Sequence, residues 1–128
     1  MKRFALILAM GFVALSLNFM MTEKVSARPN YKSSFDAATK DSKAADLLKE
    51  AKCNVCHFGT KRADRNDFGK AVNKHIDKDT FNKLKDNKAN LTKKIDEAIK
   101  AALKEKSPSG KTFGELIDAG ELPAKNPE

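Results

Sequence analysis

Residues 90–106, NLTKKIDEAIKAALKEK, decide the fold class of this chain. Apolar residues recur there every three or four positions, which is the spacing of one face of an α helix, and lysines occupy much of the remaining surface. Such a run cannot form a half-buried strand, because apolar and polar residues do not alternate in it. The sequence therefore predicts an amphipathic helix whose buried face comprises Leu91, Ile95, Ala98, Ile99, Ala102 and Leu103.

Shorter segments on both sides of this run carry the same periodicity or begin with a residue that caps helices. No segment shows the alternation of a strand, and we find no internal repeat. The sequence therefore predicts an all-α fold. The further predicted helices are a segment that ends at Lys52 and begins at Asp41 or Ser42, residues 67–78, a short helix capped by Thr80 that ends at Asn87, and the segment FGELID capped by Thr112.

The first 27 residues have the three parts of a secretory signal peptide. A positively charged start precedes an apolar run at 4–21, and Val25-Ser26-Ala27 offers the small residues that a signal peptidase accepts. We expect cleavage after Ala27 and export to the periplasm. An uncleaved membrane anchor is the alternative, since about 20 apolar residues span a bilayer. The predicted organisation is a signal peptide at 1–27, a loosely held polar arm at 28–40 with Tyr31 and Phe35 as docking points, and a helical domain at 41–128.

Cleavage would change both the charge and the composition of the protein. The net charge of the full chain is +8, and loss of Lys2, Arg3, Lys24 and Glu23 lowers it by two, to +6. All four methionines, at positions 1, 10, 20 and 21, would be lost with the signal peptide. Acidic residues are interspersed among the basic ones in an exported chain, so the excess charge does not indicate a nucleic-acid binding site.

Both cysteines of the chain lie in the segment Cys53-Asn54-Val55-Cys56-His57. A thioredoxin-like redox pair is disfavoured, because that motif belongs to a βαβ pattern and no strand is predicted. A zinc site would have to use Cys53, Cys56, His57 and His75, and adjacent ligands at 56 and 57 make tetrahedral closure difficult. A disulfide is compatible with export, although so short a loop would contribute little chain entropy.

The haem interpretation uses every residue of this segment. Cys-x-x-Cys-His is the attachment pattern of c-type haem, in which Cys53 and Cys56 would form thioethers and His57 would bind the iron. Residues three and four positions apart share one helical face, so the three side chains can meet one porphyrin. We therefore expect one covalently bound haem c, with Phe58 and Phe68 as residues that pack against it.

On this motif the chain resembles the small exported monohaem c-type cytochromes of bacteria, similar in outline to the class I cytochrome c domain. The likeness covers the mature chain loosely: a helix that leads into CNVCH, intermediate helices, and a long amphipathic helix toward the C-terminus. It implies a small helical domain wrapped around one haem. Only Cys53, Cys56 and His57 match as motif residues; the distal methionine of that family is missing, and the glycine and aromatic signals of its terminal helices are not evident.

The missing methionine makes the second axial ligand of the iron the open question, and the candidates are His75, a lysine or no ligand. His75 lies seven residues after Phe68 on an apolar stripe, so the sequence predicts that it faces the interior and binds the distal side of the iron. The alternatives are a buried neutral histidine bonded to a carbonyl or propionate, or a partly solvated one at the rim of the helix. Ligation by two histidines would lower the redox potential below that of a methionine–histidine site.

If protein ligands occupy both axial positions of the iron, no position is open for substrate chemistry. We therefore expect single-electron transfer, with no catalytic residue and no enzymatic activity. The net charge of +6 favours transient acidic redox partners or an anionic membrane surface, and we expect a monomer. The alternative is a five-coordinate haem for gas binding, sensing or peroxidase-like activity, which requires an open distal site. A third alternative is an exported binding module without haem, with a disulfide between Cys53 and Cys56.

Overall fold

The computed structural model describes residues 28–61 and 63–126. These residues form α helices joined by turns and contain no strand, only two isolated β bridges. The predicted all-α class is confirmed. The helices are α1 (Pro29–Thr39), α2 (Ala45–Ala51), α3 (Asp67–His75), α4 (Lys78–Leu84), α5 (Lys88–Leu103) and α6 (Phe113–Asp118), with a 3₁₀ helix at Lys52–Val55.

Helix α5 is the centre of the fold and packs against α1 and α3. Its predicted apolar face is buried, apart from Leu103, which is half-buried. The helix begins at Lys88, earlier than predicted, because the Asn87 side chain accepts a hydrogen bond from the Asn90 backbone N–H at 3.1 Å and caps it. It ends at Leu103, because the chain then turns to form the bridge between Lys106 and Thr112.

Residues 28–40, expected to form a loosely held arm, contain helix α1. The Phe35 side chain is 3% exposed and its ring centroid lies 5.5 Å from that of Phe68. Tyr31 stacks on Phe81 at 6.1 Å. The two aromatic residues are four positions apart and so share one helix face, which anchors the polar segment to the core. Their predicted role as docking points is confirmed.

The connections around α3 and α4 differ from the prediction at their capping residues. The predicted helix at 67–78 ends at His75, and Ile76 adopts extended backbone angles. The Asp77 carboxylate then accepts a hydrogen bond from the Thr80 backbone N–H at 2.7 Å and begins α4. Thr80 was predicted as this cap and is instead inside the helix, because the more favourable acceptor stands three residues earlier.

The last helix is the one predicted from Thr112. Its hydroxyl accepts from the Glu115 backbone N–H at 3.1 Å, and the Glu115 carboxylate accepts from the Thr112 backbone N–H, which completes a capping box. Phe113 packs against Phe68, with ring centroids 5.3 Å apart. Helix α2, by contrast, begins at Ala45 without a side-chain cap, since the Ser42 hydroxyl donates to the Thr39 carbonyl.

Two predictions concern membranes and export. Within 28–61 and 63–126, no helix combines the length and hydrophobicity needed to cross a bilayer. The predicted signal peptide and its cleavage site at Ala27 lie outside the described residues.

Candidate functional site

The residues of the CNVCH motif form a tight turn directly after α2. We call residues 52–57 the cysteine turn. Lys52 has a φ of +49°, a left-handed conformation unusual for a residue with a side chain, and it redirects the chain out of α2. The backbone N–H groups of Cys56 and His57 both donate to the Cys53 carbonyl, at 3.2 and 3.0 Å. The backbone from Cys53 to His57 thus closes one turn; that the three side chains meet one porphyrin stays a prediction.

The two thiols of the cysteine turn lie in different environments. Cys53 is exposed, whereas Cys56 is half-buried and packs against the hydrophobic core. Burial raises the pKa of the Cys56 thiol to about 12, and the neighbouring Cys53 contributes in the same direction. Both are free thiols. At neutral pH Cys56 is thus held as the thiol.

His57 is oriented by a backbone carbonyl. Its Nδ1 lies 3.1 Å from the Asp64 carbonyl oxygen. A carbonyl only accepts, so Nδ1 is the donor in this contact. Metal-binding histidines are commonly held in this way, with one ring N–H donated to a carbonyl and the other nitrogen directed to the metal. The orientation of His57, with Nδ1 turned to a carbonyl, therefore matches that of a metal-binding histidine.

Asn66, immediately before α3, holds the cysteine turn from behind. Its side chain is fully buried, and its Nδ2 donates to the Val55 carbonyl at 3.0 Å and to the Asn54 carbonyl at 3.3 Å. Its backbone N–H donates to the Cys56 carbonyl at 3.0 Å. A further bond joins Nδ2 to Oδ1 of Asn126 near the C-terminus, at 3.1 Å. One residue thus binds three successive carbonyls of the turn.

Sequence reasoning assigned Asn66 only to a polar loop and missed this role. An asparagine directly before a helical pattern is a cap signal, and Asn66 does cap α3, accepting from the Gly69 backbone N–H at 3.0 Å. The signal for α3 was therefore present. The bonds to Asn54 and Val55 had no such signal in the sequence. They join residues 12 and 11 positions apart, across a loop whose conformation no local pattern indicates.

Gly69 allows the first turn of α3 to lie directly on the cysteine turn. A Cβ atom built at Gly69 would be 2.2 Å from the Cys56 carbonyl oxygen, which no side chain can occupy. The glycine is therefore required by a close backbone approach rather than by its own dihedral angles. Together with Asn66 it makes the N-terminal end of α3 the support of the turn.

The predicted haem-packing residues lie in different places. Phe58 is half-buried beside the cysteine turn. Phe68 is fully buried, and its ring contacts Phe35 and Phe113 in the core. Phe58 therefore stays a candidate contact of a cofactor at the turn, while the contacts of Phe68 are those of a core residue.

The prediction that His75 faces the interior is wrong. Its side chain is 36% exposed, and its Nε2 donates to Oε1 of Glu105 at 2.7 Å. The cause is the end of α3: the extended backbone of Ile76 turns that side chain into the core, where it is 2% exposed, and leaves His75 at the rim. The partly solvated alternative describes its position. Ligation of iron by His75 stays a prediction.

Glu105 joins His75 to a second basic residue. Lys74 Nζ lies 3.0 Å from Oε2 of Glu105. The hydrogen bond from Lys74, and after it the one from His75, holds the pKa of the Glu105 carboxyl below its usual value of 4.5. This group lies at the opposite end of α3 from the cysteine turn and does not contribute to it.

The zinc interpretation finds no support in the geometry. Among the residues that the structure describes, no three His, Cys, Asp or Glu side chains are grouped closely enough to hold a metal ion.

Two open surface grooves of about 270 and 380 Å³ lie away from the cysteine turn. One is beside Thr39 and Ile117 and the other beside Lys70 and Phe113, so neither is lined by the cysteine turn.

Comparison of the chain with protein-family models, with curated proteins and with solved structures gives no match.

Proposed function

We propose that this protein carries one haem c, attached through thioethers of Cys53 and Cys56, with His57 as an axial ligand of the iron, and that it transfers single electrons. The observation that carries the proposal is the orientation of His57, whose Nδ1 donates to the Asp64 carbonyl at 3.1 Å while the same turn presents both thiols. A bound haem would supply iron that cycles between its ferrous and ferric states.

The two cysteines would have separate parts in attachment. The exposed Cys53 thiol is accessible to an incoming porphyrin from solvent, whereas the half-buried Cys56 presents its sulfur at the edge of the core. The raised pKa of Cys56 keeps its proton on sulfur at neutral pH. Because Cys53 is the exposed thiol, we expect attachment to begin there.

The surface charge favours acidic partners for electron exchange. A mature chain beginning at Arg28 would carry a net charge two units below the +8 of the full sequence. Helix α5 contributes exposed lysines to this surface, namely Lys88, Lys93 and Lys100. Such charge accelerates encounters with acidic proteins and with anionic membranes, and the acceleration falls as salt rises.

The second candidate function is a haem with an open distal side, for gas binding, sensing or peroxidase-like activity. The contact of His75 with Glu105 favours it, because this histidine would have to leave an existing partner to reach iron. The sequence beyond position 21 contains no methionine that could take its place.

Mass spectrometry of the protein matured in a periplasm that attaches haem tests the proposal. We expect the mass of one haem to be added, and Cys53→Ser and Cys56→Ser each to remove one thioether. His57→Ala should leave covalent attachment measurable but change the optical spectrum, since it removes a ligand and not a thiol. A matured wild-type protein with two free thiols, or with a disulfide, contradicts the proposal.

Optical and EPR spectra of the haem-loaded protein separate the two functions. A six-coordinate haem that does not take up carbon monoxide after reduction supports electron transfer; rapid uptake supports the second function. His75→Ala decides the distal ligand, with Lys74→Ala as its control from the same helix end. A spectrum that changes in His75→Ala alone would identify His75 as the ligand despite its contact with Glu105.

A further inference from the structure

Asn66 makes more bonds than a helix cap needs. Its Oδ1 accepts a hydrogen bond from the Gly69 N–H and thereby caps α3. Its Nδ2 is additional: it donates to two carbonyls of the cysteine turn and to Asn126. Asn87, the cap of α5, provides the contrast within the same chain, since it is exposed and bonds through its oxygen to the Asn90 N–H.

The cysteine turn needs such external bonds. A 3₁₀ helix of four residues gains little from its own hydrogen bonds, and nucleation of a short helix is unfavourable. The turn also begins with the left-handed Lys52, which adds local strain. Bonds from outside the turn must therefore fix its conformation, and those to the Asn54, Val55 and Cys56 carbonyls all come from Asn66.

We propose that Asn66, assisted by the close approach of Gly69, is a positioning residue that sets the cysteine turn in the haem-free protein, so that Cys53 faces solvent and Cys56 faces the core before any cofactor is attached. The purpose of this arrangement, which is to present the two thiols in a fixed order, rests on the proposed function. The preformed turn itself, held by one asparagine side chain, does not depend on haem binding.

Asn66→Asp is the sharpest variant, because it keeps the shape of the side chain and the oxygen that caps α3. It replaces the two N–H donors by an oxygen that faces the Asn54 and Val55 carbonyls, which repel it. Asn87→Asp is the matched control, since it makes the same chemical change at a cap without contact to the turn. Circular dichroism should show that both variants keep their helices.

The measurement is the alkylation rate of each cysteine in the reduced, haem-free chain, resolved by peptide mass spectrometry. In the wild type we expect Cys53, which is exposed, to react first and Cys56, which packs against the core, to be protected. Loss of buried hydrogen bonds in Asn66→Asp should raise the Cys56 rate about tenfold, with Asn87→Asp unchanged. A folded Asn66→Asp protein whose Cys56 is as protected as in the wild type overturns the inference.

Hydrogen exchange of the wild-type haem-free protein provides a test that needs no variant and decides the matter if Asn66→Asp does not fold. The His57 and Asn66 backbone N–H groups donate to the Cys53 and Cys56 carbonyls, so a preformed turn protects them as the amides of α3 are protected. Exchange of both at the rate of an unstructured chain overturns the inference.

Maturation of the same variants separates failure of the inference from failure of the proposed function. If wild-type protein takes no haem while the alkylation pattern is as expected, the function is wrong and the preformed turn stands. If the wild type takes haem and Asn66→Asp takes as much, with equal proportions of doubly attached product, the positioning role is wrong and the function stands. We expect the doubly attached fraction to fall several-fold in Asn66→Asp alone.

Discussion

The two ends of helix α3 differ in burial and in what they hold. At the N-terminal end, Asn66 and Phe68 are buried and Gly69 lies against the Cys56 carbonyl. At the C-terminal end, Lys74 and His75 reach across exposed surface to Glu105. One end is part of the core and supports the cysteine turn, whereas the other end carries charge at the surface.

This difference shows that one amphipathic stripe can be buried at one end and solvated at the other. His75 follows Phe68 by two helical turns and lies on the same face by spacing alone. The helix stops at His75, however, and of the two neighbours His75 and Ile76 only Ile76 is buried. Substitutions at the buried N-terminal end of α3 should therefore lower the free energy of unfolding far more than substitutions at its exposed C-terminal end.

The largest effect is expected for Phe68→Ala. Its ring is fully buried between Phe35 and Phe113, so removal leaves a cavity in the core. We expect the free energy of unfolding to fall by about 3–5 kcal/mol, measured by urea denaturation of the haem-free protein. Phe68→Leu should cost clearly less. A loss below about 1 kcal/mol would mean that this end of α3 is not the anchor of the fold.

Gly69→Ala should come next. In an ordinary helix interior this change stabilises by up to about 1 kcal/mol. Here the new Cβ would lie 2.2 Å from the Cys56 carbonyl oxygen, so the cysteine turn and α3 must separate. We expect a net loss of about 1–3 kcal/mol. Lys70→Ala, at the exposed neighbouring position, is the control, and a stabilised Gly69→Ala protein would show that the contact between turn and helix is absent in solution.

The variant Glu105→Gln tests the C-terminal end of α3, where the stability contributed by Glu105 should depend on pH. The pKa of Glu105 is lowered in the folded protein, first by Lys74 and then by His75, so its ionised form stabilises the fold above its usual value of 4.5. That contribution is lost as the pH falls through the lowered pKa. We expect the variant to be less stable by under about 1 kcal/mol at pH 7 and equal to the wild type in strong acid.

Urea midpoints for both proteins measured at neutral and at strongly acidic pH give this comparison. High salt at neutral pH should reduce the difference, because exposed ion pairs are screened. A difference that persists unchanged in acid would assign the effect of Glu105→Gln to packing rather than to charge.

His75→Ala should have the smallest effect on the haem-free protein. The side chain is 36% exposed and its partner Glu105 is a carboxylate at the surface, so we expect a change within about 0.5 kcal/mol. The same urea denaturation measures it beside Phe68→Ala. A loss approaching that of Phe68→Ala would restore the predicted interior position of the histidine.

The sequence predicted the helices because burial of an apolar stripe is a local pattern. It was less successful at their ends, where neighbouring residues compete to cap: Asp77 begins α4 in place of Thr80, and Asn87 begins α5 before Asn90. Helix α1 was missed because the segment is mostly polar and is anchored mainly by two aromatic side chains, Tyr31 and Phe35.

For the candidate site, too, the sequence predicted the local features and missed the contacts between distant residues. Cys53, Cys56 and His57 stand together in the sequence, and their turn follows from their spacing. The groups that orient them are distant: the Asp64 carbonyl at His57, and the Asn66 amide behind Asn54 and Val55. Such pairings depend on how a polar loop folds back, and loop conformation is set by tertiary contacts rather than by a local pattern.

The bond between Asn66 and Asn126 ties the cysteine turn to a segment that is synthesised much later. Asn66 follows the cysteine turn closely, so a nascent chain can begin to hold the turn soon after the turn is made. Asn126 is 60 residues further along and closes the arrangement only when the whole helical bundle has been synthesised. A chain truncated shortly before Asn126 should therefore retain its helices while its two cysteines become less distinct from one another.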